Sequence, residues 1–183
     1  MNRSSIAIVA LCIAAGAAGV LALVTSRSSD QPSVRPVTDR AELTRIGANA
    51  LTLVGYDPSS LGYRVQFEPG RTGVRAQADR SSQTISVYLR RGDLPHVVAH
   101  DIAHELGHAY DRERMSDAER RAYLSRRGVT SATWLPATDS DYAVGAGDFA
   151  EVFALCHSAS PDFRSRLAPR PASPCELLPA GAR

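Results

Sequence analysis

The chain contains no lysine; all 21 basic residues are arginine, set against 19 acidic residues, and the formal net charge is +2. The arginines are scattered, so they reflect genome composition and build no binding stripe. So small a net charge supplies no field favouring nucleic acid or an anionic surface. Cysteine is scarce as well. Of Cys12, Cys156 and Cys175, the first lies in an apolar leader. The remaining pair is too sparse for a disulfide-framework fold but sufficient for one staple. No internal repeat is present, and 183 residues accommodate one domain plus a short appendage.

The leader is the one long apolar run. Arg3 precedes an uncharged stretch from Ile6 to Val24, which as a helix spans ~28 Å, close to the thickness of a bilayer core. Residues 1–25 therefore read as a signal-anchor, or as a signal peptide with Val24 and Ser26 as a weak cleavage pattern. Either way the domain is exported: single-pass in the cell membrane with an extracytoplasmic domain, or secreted. Leu11 before Cys12 is too large for a lipoprotein pattern. Residues 26–36 are polar and proline-containing, a linker, and the domain is expected over 37–183.

Within that domain, Asp39 and Glu42 precede Leu43, Ile46, Ala50 and Leu51 at helical spacing, predicting a first helix to about Leu53. Tyr63, Val65 and Phe67 alternate with polar residues up to Pro69-Gly70. Val74, Ala76 and Ala78 alternate more weakly, and Ile85, Val87 and Leu89 form the clearest strand. Pro95 suits the first turn of a long helix through about Arg112. Ser116 and Glu119 spell a capping box for the next helix, which Gly128 ends. A polar, small-residue stretch anchored by Trp134 and Tyr142 follows. A helix is then expected from about Asp148 to Ser158 and a short one to Leu167, before a proline-rich tail on the surface. Helix, a few strands, then helices make the fold class α+β.

The chemistry concentrates in His104-Glu105-Leu106-Gly107-His108. Residues four apart stack on one helix face, so both imidazoles can meet one ion. Glu105 is rotated by about 100° beside the open coordination position. Zn2+ suits two nitrogens plus a carboxylate with water in the fourth place, and Glu105 can take that water's proton as it attacks a carbonyl. Gly107, poor in a helix by roughly 1 kcal/mol, calls for a packing reason such as close backbone approach. His96, His100, His104 and His108 recur every four residues, but the stripe drifts by about 40° per step, so the four cannot share one ion. His100 is expected to be packed or exposed, or else to line the cleft or support a carboxylate. Asp101 and Asp111 are candidates for the outer N–H of a ligand histidine.

HELGHAYD at 104–111, Tyr142-Ala143, and Asp148-Phe149-Ala150-Glu151-Val152-Phe153-Ala154 together resemble the zincin metallopeptidases. Among these they are most similar to the gluzincin group that includes anthrax-lethal-factor-like catalytic domains. The resemblance covers about Leu89 to His157. It implies a small sheet over the active-site helix, a peptide or protein substrate antiparallel to the edge strand, and a glutamate ligand from the second helix. By the same resemblance Tyr142 stabilises the oxyanion. Asp111 and Arg114 stand where metzincins place a glycine and a third histidine. One departure is plain: if Glu151 matches the family's second acid, the ligand position falls on Gly147, which has no side chain. The third ligand is then Glu151, with Asp148 as the alternative, although Asp148 with Glu151 also reads as a capping box. The expected function is an exported zinc metallopeptidase with Glu105 and Tyr142 catalytic. A non-catalytic zincin-like extracytoplasmic binding domain is the alternative that Gly147 keeps open.

Overall fold

The computed structural model describes residues 34–135 and 140–183; the apolar leader and nearly all of the linker lie outside them. Among the described residues no helix is long and apolar enough to cross a membrane. Pro36 already bridges Arg90, and the N–H of Val37 donates to the carbonyl of Leu89 with Val37 fully buried.

Helix α1 (Arg40–Leu51) starts where its sequence says. Asp39 is the N-cap, and its carboxylate accepts the N–H of Glu42 at 2.8 Å. A 3-10 turn leads into β1 (Arg64–Pro69), then β2 (Ala76–Asp79) and β3 (Thr84–Leu89). β3 is central, parallel to β1 and antiparallel to β2. Its Ile85, Val87 and Leu89 are buried, as the alternation demands. β2 is therefore an edge strand with one side unpaired within the sheet.

Helix α2 (Pro95–Arg114) runs beneath this small mixed sheet, and α3 (Asp117–Arg126) opens with both halves of the Ser116/Glu119 capping box. α4 (Gly145–His157) packs on α2 more extensively than any other pair of elements, and α5 (Pro174–Leu177) is a single turn. Both long helices carry small residues four apart: Ala99, Ala103 and Gly107 on α2, Ala146, Ala150 and Ala154 on α4. A Cβ on Gly107 would lie 2.7 Å from the Cα of Ala150, so glycine is required for this approach. Phe149 and Phe153 pack against Tyr110, and Phe149 edge-on against Tyr123, filling the core. The described residues are α+β, with a three-stranded mixed sheet and five α-helices among them.

Two expectations fail locally. α4 begins three residues before Asp148, because the N–H of Asp148 is already taken by the carbonyl of Val144; Asp148 is inside the helix and caps nothing. No helix forms up to Leu167. The polar groups of that stretch bind elsewhere, as detailed below.

Cys156 and Cys175 form a disulfide with Cα atoms 5.0 Å apart, and Leu178 and Ala182 beyond it are buried. Closing a loop of about 20 residues constrains the unfolded chain by roughly 3 kcal/mol in the chain-entropy model. Urea unfolding with and without reductant is expected to show a loss of that size. Equal midpoints would leave the staple without a role in stability.

Candidate metal centre

α2 carries His104, Glu105 and His108 on the face turned to β2 and to the loop before α4. The histidine rings lie 4.8 Å apart at their centroids, and their Nε2 atoms are 3.2 Å apart. Asp141 comes from the loop. Its Oδ2 is 2.6 Å from Nε2 of His108 and 3.6 Å from Nε2 of His104. His104, His108 and Asp141 thus form a group that can hold a metal ion, each offering one ligand atom, all within 4.8 Å. Metal–ligand bonds of about 2.0–2.1 Å at tetrahedral angles separate donor atoms by roughly 3.3 Å. The nitrogen pair meets that spacing, and the two carboxylate distances bracket it. Two imidazole nitrogens this close, with a carboxylate beside them, can be bridged by one cation.

The other side of His104 is also held. Its Nδ1 pairs with Oε1 of Glu151 at 2.8 Å, so Nε2 is the ring nitrogen turned to His108 and Asp141. Glu151 is fully buried on α4, accepts the Nε2–H of His100 at 3.3 Å, and accepts the backbone N–H of Arg164. Burial acts most strongly on its carboxyl, raising the pKa, but the bonds to His100 and His104 outweigh it and hold the pKa well below the usual range. Asp141 follows the same pattern: burial is opposed by both ligand histidines, and its pKa ends far below normal. Burial likewise disfavours a charged His104, yet Asp141, Glu151 and Glu105 raise its pKa well above the ordinary value. Two carboxylates are therefore held ionised around two imidazoles, an environment that favours a cation.

Neither residue expected as third ligand belongs to this group. Glu151 stands behind His104, on the wrong nitrogen. Asp148 is fully buried and accepts from Tyr123 Oη at 2.7 Å, from Arg127 at 2.7 and 2.9 Å, and from Ser165 Oγ at 2.6 Å. It is an internal ion pair. Asp141, not Glu151 or Asp148, joins the two histidines in the candidate group, and Gly147 explains how. A Cβ at 147 would overlap the carbonyl oxygen of Asp141 and lie 3.0 Å from its Cγ. The missing side chain on α4 makes room for the loop that delivers the carboxylate. The only signal in the sequence was that gap, read beside an aspartate next to Tyr142.

The remaining candidates fall into place around this centre. Glu105 Oε2 accepts the N–H of Ala78 at 2.9 Å, on the unpaired side of β2. The Tyr142 ring lies 5.6 Å from that of His104. Asp101 binds Arg75 and Arg164, and Asp111 binds Arg120 and Trp134, so neither receives a ligand histidine. A cleft of about 520 Å3 runs between residues 73–78 and α2, with His104, Glu105, His108, Asp141, Tyr142 and Arg164 on its walls. The chain matches no family model, no curated protein and no solved structure.

Proposed function

We propose that this chain is a zincin-like zinc metallopeptidase that hydrolyses peptide bonds in the cleft between β2 and α2. The observation that carries the reading is the convergence of His104, His108 and Asp141 beside Glu105, in an open cleft with a free strand edge. Two imidazoles and one carboxylate are a donor set suited to zinc. Zn2+ held there supplies Lewis acidity, making water acidic near neutral pH and polarising a carbonyl. Glu105, at the cleft wall, takes the proton of the attacking water and returns it to the leaving amine. Tyr142 donates its phenol hydrogen to the developing oxyanion. An extended peptide lies along the unpaired side of β2 by main-chain hydrogen bonds. Its arrival displaces the contact between Ala78 and Glu105 and frees the carboxylate for proton transfer.

Export to an oxidising compartment, with anchoring or secretion through residues 1–25, belongs to the same reading. The Cys156–Cys175 disulfide supports it, since such bonds persist outside the reducing cytosol. Elemental analysis of the full-length chain, paired with cleavage of a quenched fluorescent peptide library, tests the proposal. About one zinc per chain is expected, with cleavage abolished by phenanthroline and restored by added zinc. Chelator-insensitive cleavage, or a chain that retains no zinc, overturns it; stoichiometric zinc without turnover selects the non-catalytic binding domain.

A further inference from the structure

Between the two disulfide-bonded cysteines lies Arg164-Ser165-Arg166, a triplet outside any helix or strand. Its first two residues are anchored on both long helices. The backbone N–H of Arg164 donates to Glu151 on α4, and its guanidinium donates to Asp101 on α2 at 2.7 Å. Ser165 Oγ donates to Asp148 on α4 at 2.6 Å. Glu151, Asp101 and Asp148 are all buried, so the anchors are firm. Arg166 then turns to the loop before α4. Its N–H donates to the carbonyl of Tyr142 at 2.7 Å, and its guanidinium donates to Ser140 Oγ at 3.0 Å. Those two acceptors are the residues on either side of Asp141.

We infer that Arg166 is a positioning residue of the metal centre, which grips the chain on both flanks of Asp141 and so presents that carboxylate to His104 and His108. The inference rests on the reading of Asp141 as a metal ligand and not on peptide hydrolysis. Asp141 belongs to no helix or strand, so no regular element sets the direction of its side chain. That side chain is 25% exposed, and packing alone does not fix it either. Hydrogen bonds along the loop do. The carbonyl of Asp141 accepts the N–H of Val144 at 3.0 Å, closing a turn, and Gly147 lets this carbonyl lie against α4. Arg166 adds the hold from the opposite partner, a segment already fixed to α2 and α4. A loop ordered before the ion arrives spares binding the entropy of ordering it, so the grip of Arg166 is felt as metal affinity.

Arg166 is exposed, so replacing it opens no cavity. Arg166→Ala removes the bond to Ser140 and keeps the N–H on Tyr142. Zinc affinity of the full-length chain, by chelator competition, is expected to fall about 3- to 10-fold, the worth of one hydrogen bond, and far less than in Asp141→Ala. Ser140→Ala removes the same bond from its other end and is expected to match it, with the double variant no weaker than either single one. In the Asp141→Ala background, Arg166→Ala is expected to change nothing further, whereas a merely structural role would lower affinity in both backgrounds. Arg166→Lys, which keeps a donor, is expected to recover part of the loss. A second arm needs no metal. In the metal-free full-length chain, a nuclear Overhauser contact between the β-hydrogens of Asp141 and the His108 ring is expected in wild type and Arg166→Lys, and weakened in Arg166→Ala. Arg166→Gln takes the place of the alanine variant if that one does not fold. Wild-type zinc affinity in Arg166→Ala, additive losses with Ser140→Ala, or an unchanged ring contact each overturn the inference. If wild type binds no zinc, or Asp141→Ala binds it as tightly, the metal reading of Asp141 fails, and the ring contact alone decides whether Arg166 holds the loop.

Discussion

Glu105→Gln is expected to leave zinc content unchanged and to lower hydrolysis at least ~100-fold. The substitution keeps the length and shape of the side chain. Its amide oxygen can still accept the N–H of Ala78, now 2.9 Å from Oε2, so the group stays at the cleft wall. It cannot accept a proton from water, and that is the single function removed. The atoms of the candidate metal group belong to His104, His108 and Asp141, and Glu105 supplies none of them. Zinc analysis beside single-turnover cleavage separates the outcomes. Zinc lost together with activity would make Glu105 part of the metal site; zinc and turnover both retained would remove it from the chemistry.

Much of the scaffold was legible because its signals are local. Asp39 with Glu42 and Ser116 with Glu119 mark helix starts through contacts spanning three residues, and alternation at Ile85, Val87 and Leu89 marks the central strand. Gly107 announced a close approach, though the partner, Ala150 on α4, is visible only in three dimensions. The histidine pair was legible for the same reason as the caps: four residues on a helix place two rings together. The cysteine pairing followed from counting. What the sequence did not disclose depends on loops crossing between elements. Asp141 reaches the histidines from an irregular segment whose path follows from Trp134, Gly145 and Gly147; the N–H of Gly145 donates to Thr133, and that of Ala146 to Trp134. Residues 161–167 looked like a helix by composition. Their polar groups instead bind Glu151, Asp148 and Tyr142. Asp148 looked like a cap because a capping aspartate and a buried ion-pair aspartate are spelled alike.

Separate consequences for the three acidic residues around the site give the sharpest test of its geometry. Asp141→Ala is expected to weaken zinc binding more than ~100-fold, because it removes a donor atom beside both imidazoles. Glu151→Ala is expected to weaken it by ~10- to 100-fold, the range for a group that orients a ligand histidine. It frees the outer N–H of His104 without removing a donor. Asp148→Ala should hardly change zinc affinity, yet it should be the most damaging to stability. It leaves Arg127, whose side chain is 6% exposed, with no carboxylate, and breaking such a buried pair costs about 3–5 kcal/mol. That exceeds the roughly 1 kcal/mol of a lost helix cap, so urea unfolding also distinguishes the ion pair from the capping role. Competition with a chromogenic chelator ranks the three affinities, and the order Asp141, Glu151, Asp148 is the expected result. If Glu151→Ala releases zinc while Asp141→Ala retains it, the ion sits on the α4 side of His104 and Glu151 is the third ligand after all. If Asp148→Ala leaves the unfolding midpoint unchanged, the ion pair with Arg127 does not hold α3 to α4.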